Sequence, residues 1–231
     1  MTQEDSEIIN QIMSKGLTPL SAKVLKEKLK DDVLVLDTRK ATEFTSGFIP
    51  GSIFIGGEGR FPEWAGNFIA LTQPIILVTS PNLEEEIIRR LINVGFNNIM
   101  GYLKGGFKHW KETGYPIDMI IDIEPDEMVM DTSFDSNLVI VDVRTETEFA
   151  EGHIKNSLNL PLAEMTDLAQ LANFEENDNL YIHCADGYRS TIACSLFKKQ
   201  GIHNLRNVLG GWEKIKNEPG IKTKKDAGLL N

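Results

Sequence analysis

Tyr181-Ile-His-Cys-Ala-Asp-Gly-Tyr-Arg-Ser190 is the stretch on which the reading of this chain turns. The apolar run Leu180, Tyr181, Ile182 ends at Cys184, a short loop with Gly187 follows, and Arg189 and Ser190 open an amphipathic stretch from Thr191 to Gln200. A cysteine therefore stands where a strand stops, and a helix N-terminus faces it across the loop. The unpaired N–H groups of that helix end, the helix dipole and Arg189 all favour an anion there. A thiolate is an anion, and surroundings of this kind favour it. Gly187 tolerates a positive φ, so the loop can curl and bring its backbone close to sulfur. Ala185 and Tyr188 are expected at the rim of the pocket. Asp186 is out of keeping with a thiolate and is expected to point outward at the loop tip.

Working outward, the chain repeats itself. Asp142-Val-Arg144, Glu148-Phe149, Gly152 and Ser157 align with Asp37-Thr-Arg39, Glu43-Phe44, Gly47 and Ser52 at a constant offset of 105 residues. Leu180-Tyr-Ile-His falls on Ile75-Ile-Leu-Val, and Gly210-Gly-Trp212 on Gly105-Gly-Phe107, at the same offset. Two similar domains follow, spanning 17–118 and 125–221, with a helical extension over 1–16 and a polar tail over 222–231. The stretch from Gly114 to about Pro125 reads as the linker. Val33–Leu36 and Ile75–Val78 read as buried strands, 84–94 as an amphipathic helix, Asn98–Tyr102 as a further strand, and the glycine-rich 56–70 as irregular. Strand–helix alternation in each copy predicts an α/β fold with a mainly parallel central sheet flanked by helices.

The repeat also serves as an internal control. Cys184 falls on Thr79, and the loop after it reads Ser80-Pro-Asn-Leu-Glu-Glu-Glu86, without cysteine, glycine or arginine. Three glutamates satisfy that helix start themselves. The first copy is read as a scaffold that lacks the chemistry. Asp-x-Arg and Glu-Phe occur in both copies, so they read as structural, with Arg39 paired to Asp37 or Glu43 and Arg144 to Asp142 or Glu148. The Gly-Gly-aromatic pairs read as turns and core. His183, next to Cys184 on a strand, points to the opposite face and reads as a core histidine. His153 and Cys194 read as packing.

With 231 residues there is room for two modest domains. A formal net charge of −10 argues against a nucleic-acid partner. No apolar segment approaches the roughly 18 residues that a membrane span needs. The N-terminus has no secretory pattern, and the two cysteines, Cys184 and Cys194, staple nothing distant, so a cytoplasmic location is expected.

Cys184-x-x-Gly187-x-Arg189-Ser190 after a buried strand resembles the active loop of rhodanese-type sulfurtransferases. The resemblance implies two tandem rhodanese-like domains, the first inactive. It implies that Cys184 takes a sulfane sulfur from thiosulfate or a thiol persulfide, holds it as a persulfide, and passes it to a thiol, sulfite or cyanide. Arg189 would hold an anionic donor, with Ala185, Asp186, Gly187, Tyr188 and Ser190 completing the binding loop. No metal or organic cofactor is implied in this chain; the covalent cysteine persulfide carries the sulfur. Residues Gly51–Arg60, Trp64–Gly66 and Gly101–Gly106 resemble more narrowly the two-rhodanese part of metallo-β-lactamase-fold persulfide dioxygenase–rhodanese fusions. The metal domain of those fusions is not in this sequence: His109, His153, His183 and His203 do not form its ligand run. Such a dioxygenase domain is an expected partner, alongside small sulfur donors and thiol acceptors. Two other readings stand beside this one. A phosphatase-like or arsenate-reducing cysteine enzyme is one, although a phosphate loop needs five residues between cysteine and arginine and this loop has four. A non-catalytic binding module is the other.

Overall fold

A computed structural model describes residues 3–171, 173–175 and 177–226. The chain divides into two compact units between Met119 and Ile120.

The first unit carries strands β1 (Pro19–Leu20), β2 (Leu34–Asp37), β3 (Ile53–Phe54), β4 (Ile75–Val78) and β5 (Ile99–Leu103). They form one parallel sheet in the order β1-β5-β4-β2-β3. Its helices are α1 (Gln3–Gly16), α2 (Ala22–Lys28), α3 (Ala41–Thr45), α4 (Phe61–Phe68), α5 (Glu84–Asn93) and α6 (Gly106–Glu112). The central strands β2 and β4 are buried at every position, as a parallel sheet covered on both faces requires. Helix α5 turns Ile87, Ile88 and Leu91 to the core at helical spacing. Leu25, Val35, Ile76, Val78 and Trp110 pack together on one side of the sheet.

The second unit repeats this plan. Strands β6 (Ile121–Ile123), β7 (Leu138–Asp142), β9 (Leu158–Asn159), β10 (Asn179–His183) and β11 (Leu205–Val208) give a parallel sheet in the order β6-β11-β10-β7-β9. Position for position this is the order of the first sheet. A separate antiparallel pair joins β8 (His153–Ile154) to β12 (Thr223–Lys224). The helices are α7 (Pro125–Thr132), α8 (Glu146–Glu151), a 3-10 turn over Leu162–Thr166, α9 (Leu168–Leu171), α10 (Tyr188–Lys199) and α11 (Gly211–Ile215).

Four expectations change. Residues 61–68 of the stretch read as irregular form α4, with Pro62 in its first turn, where its missing N–H costs nothing. Residues 121–123, read as linker, pair with β11 and belong to the second sheet. Residues 222–226, read as tail, are tied down: β12 pairs with β8, and the Asp226 amide donates to the Ala150 carbonyl at 3.0 Å. The rest of that tail, 227–231, lies outside the described residues. Finally, α10 is buried on all sides from Ser190 to Phe197 rather than amphipathic. The 3-10 turn packs against it, and Phe174 meets Phe197 edge-on at 5.2 Å.

Candidate active site

The carboxyl edge of the second sheet brings together the residues around Cys184. His183 ends β10 and Asp142 ends β7, paired in register. Cys184 is the next residue and has no exposed surface. Gly187 follows with φ 109, a conformation open to glycine, and caps α10. The turn aims the Gly187 N–H at Cys184 Sγ, 3.1 Å away. Ser190 Oγ, from the first turn of α10, is 3.6 Å from the same sulfur and donates to the Gly187 carbonyl at 3.0 Å. Thr191 Oγ1 donates to that carbonyl at 2.9 Å. The cysteine thus meets a helix N-terminus, as the sequence implied.

Two members of the loop are placed differently from expectation. Asp186 is exposed, yet its carboxylate turns inward: Oδ1 accepts the Tyr188 N–H at 3.2 Å and lies 3.7 Å from Cys184 Sγ. The short side chain closes a turn over its own backbone two residues on. Arg189 does not stand free for an anion. Its Nη1 and Nη2 each donate to a carboxylate oxygen of Glu148 at 2.7 Å. Glu148 belongs to α8, where it shares a capping box with Thr145: the Thr145 N–H donates to Oε2 at 3.1 Å, and the Glu148 N–H to Thr145 Oγ1 at 3.3 Å. The Arg189 guanidinium is the main reason that the Glu148 carboxyl is held down to about 2 from an ordinary 4.5.

Sequence reasoning read Glu148 as part of a repeated structural motif, and so missed it. The distinguishing signal was there: the first copy keeps the glutamate, as Glu43, but puts Glu84 where Arg189 stands. It also missed the work of Gly210-Gly-Trp212. Gly210 and Gly211 both have positive φ, 71 and 52. The Trp212 N–H then reaches the Cys184 carbonyl at 2.7 Å and the Glu213 N–H reaches the Ala185 carbonyl at 3.1 Å. A side chain at Gly211 would start 2.4 Å from the Cys184 carbonyl oxygen. The first turn of α11 therefore holds the backbone of the cysteine loop from behind.

The Asp-x-Arg motifs resolve to aspartate. Arg144 Nε and Nη2 grip Asp142 at 2.9 and 2.6 Å, and Nη2 also donates to the Gly152 carbonyl at 2.7 Å. Arg39 repeats this on Asp37 and Gly47, at 2.9, 2.6 and 2.8 Å. Burial outweighs this partner at Asp37 and pushes its carboxyl up. His183 is fully buried; Nδ1 faces the Cys184 carbonyl at 3.3 Å, and Nε2 has no hydrogen bond, with Asp142 Oδ2 at 3.7 Å. Burial pushes its pKa down, against the pull of Asp142. Cys194 is a buried thiol whose pKa burial pushes up. His153 stacks on Phe149 at 3.7 Å. In the first copy, Thr79 Oγ1 donates to the Ser80 carbonyl at 2.8 Å, and Glu84, Glu85 and Glu86 fill the first turn of α5.

Fold and site define a class: a duplicated parallel α/β domain, one copy of which curls a glycine-bearing loop from a strand-end cysteine into a helix. The model of the rhodanese-like domain matches residues 21–113 and again 126–218, and the chain belongs to that family. It is similar to a mitochondrial protein of Schizosaccharomyces pombe provisionally named a thiosulfate sulfurtransferase, with 32% identity over 99 residues, 36% of this chain and 70% of that one. It is also similar to a Bacillus subtilis protein provisionally named a sulfur carrier, with 36% identity over 110 residues, 48% of this chain and 57% of that one. The chain thus spans little more than half the length of the second relative. A crystal structure of a rhodanese-like domain protein from Staphylococcus aureus is 29% identical, covers 46% of this chain and 100% of its own, and superimposes with a TM-score of 0.40.

Proposed function

We propose that the second domain is a sulfurtransferase that carries a sulfane sulfur on Cys184. The observation that carries this reading is the Gly187 N–H directed at Cys184 Sγ from the start of α10. An amide and a helix N-terminus stabilise negative charge on sulfur, which the nucleophile and the persulfide both need. The cysteine thiolate attacks the outer sulfur of a donor, an S–S bond forms, and the donor's own S–S bond breaks with its electron pair leaving on the first product. The Cys184 persulfide then yields its outer sulfur to a thiol, sulfite or cyanide, which restores the thiolate. Ala185 and Tyr188 line the approach, and Ser190 supports the turn. Names of relatives that denote sulfur transfer agree with this reading.

The first domain is proposed to be catalytically silent, since Thr79 and three glutamates stand where the cysteine and the helix amides would act. A persulfide dioxygenase domain of the metallo-β-lactamase fold, which oxidises a low-molecular-weight persulfide, is the proposed partner. Both cysteines are unpaired, which suits a reducing compartment such as the cytoplasm. Among the described residues no helix is long and apolar enough to cross a membrane.

The test is intact mass after incubation with thiosulfate or glutathione persulfide. The wild-type chain gains one sulfur atom, lost again on addition of cyanide, and Cys184→Ser gains none. Sulfur transfer retained by Cys184→Ser would overturn the reading, and turnover of a phosphoester or arsenate in place of sulfur transfer would favour the other cysteine chemistries.

A further inference from the structure

The loop beside Cys184 holds two charged side chains, and neither is arranged to attract an anion. Asp186 Oδ1 lies 3.7 Å from the sulfur, on the side of an exposed residue over a buried one. It also takes the Tyr188 N–H, one of the amides at the start of α10. Arg189, the cation of the loop, has both terminal nitrogens on Glu148, so this pair presents little net charge to an incoming molecule. The formal charge of the whole chain, −10, adds to the same bias.

We propose that Asp186, with Arg189 clamped by Glu148, selects the sulfur donor by charge, turning away dianions such as thiosulfate and admitting thiol persulfides. This deepens the sulfurtransferase reading and rests on it. Thiosulfate brings two negative charges to the sulfur and leaves as sulfite, also a dianion. A thiol persulfide brings one charge or none at the reacting end. Cys184–S⁻ and R–S–SH exchange to Cys184–S–SH and R–S⁻: one S–S bond forms, one breaks, the electron pair leaves on R–S⁻, and no oxidant is needed. The carboxylate repels the second charge of thiosulfate at a distance where a unit charge is worth about tenfold in rate.

The experiment measures the rate of sulfur loading onto Cys184 of the full chain from thiosulfate and from glutathione persulfide, expressed as the ratio of the two kcat/KM values. In the wild-type chain persulfide is the better donor. Asp186→Asn keeps an oxygen for the Tyr188 amide and removes the charge; it raises the thiosulfate-to-persulfide ratio about tenfold. Asp186→Glu keeps the charge and the wild-type ratio, which a merely structural role would not predict. Glu148→Gln releases Arg189 and moves the ratio in the same direction as Asp186→Asn. A wild-type preference for thiosulfate, or a ratio unmoved by Asp186→Asn, overturns this proposal while leaving sulfur transfer standing. Failure of both donors to load Cys184 overturns the sulfurtransferase reading itself, and this one with it.

Discussion

Arg189 and Glu148 face each other fork to fork, two 2.7 Å hydrogen bonds joining the first turn of α10 to the first turn of α8 across 41 residues of sequence. Bidentate pairs of this kind fix orientation as well as charge. The cysteine loop is thereby tied at its helix end to α8 through Glu148. At its strand end it is tied to the first turn of α11 through Trp212 and Glu213.

The ion pair carries a pH dependence with a definite sign. The Glu148 carboxyl is held down to about 2, below its ordinary 4.5, so its contribution is present above 4.5 and is lost as pH falls from 4.5 towards 2. Glu148→Gln should flatten acid unfolding of the second domain in that interval relative to wild type. Urea melts at pH 6 and pH 3 check this, and equal pH sensitivity in both proteins would count against it.

Arg144 and Asp142 are both buried, at 3% and 0% exposure. Arg144→Met strips buried Asp142 of its guanidinium partner and removes the donor to Gly152. Loss of about 3–5 kcal/mol is expected for the second domain. The double variant Asp142→Leu/Arg144→Met should recover much of it, because the carboxyl group left without its guanidinium is gone as well. Chemical denaturation of the three proteins decides.

Gly211 leaves no room for a methyl group. Its φ of 52 and the 2.4 Å approach to the Cys184 carbonyl mean that Gly211→Ala must displace the cysteine loop. Gly106, its counterpart in the first copy, shares a positive φ, 61, but would place a side chain 3.5 Å from the Thr79 carbonyl, an ordinary contact. Sulfur loading should fall at least about tenfold in Gly211→Ala, while Gly106→Ala keeps it; assays of the two variants side by side read the difference.

His183 is buried with Nε2 unpartnered, facing Asp142 Oδ2 at 3.7 Å, with Arg144 on the same carboxylate. Its pKa in the folded state lies below the ordinary 6.5, so protonation favours unfolding and stability falls as pH drops below 6.5. Val78 fills the equivalent position in the first copy. His183→Val should remove the decline in stability between about pH 6.5 and 5 that the wild-type second domain shows. Thermal melts across that range provide the measurement.

Much of the fold was legible because burial leaves a periodic trace. Leu34–Leu36 and Ile75–Val78 are continuous apolar runs, as strands covered on both faces must be, and the 105-residue repeat doubled every inference. Residues 61–68 were not legible: four nearby glycines pointed to a loop, while burial of Phe61 and Ala65 made a helix. The all-round burial of α10 was hidden too, since Ser190, Thr191 and Ser195 look polar until the Gly187 and Ile192 carbonyls accept their hydroxyl groups.

The sequence by itself determined that there are two copies of one α/β domain. It also determined that a single strand-end cysteine, followed by a glycine and a helix start, distinguishes the second copy from the first. Those are local facts, written in residue type and spacing. Tertiary structure alone decided which carboxylate each arginine takes, that Asp186 turns towards the sulfur, and that Gly211 braces the loop from behind. The local sequence left the turn of Asp186 and the aspartate partners of Arg39 and Arg144 open, and the packed backbone settled them. The other contacts depend on which loops converge at the carboxyl edge of the sheet: Glu148 and Arg189, 41 positions apart, and the Trp212 N–H and the Cys184 carbonyl become neighbours there only once the strands have paired.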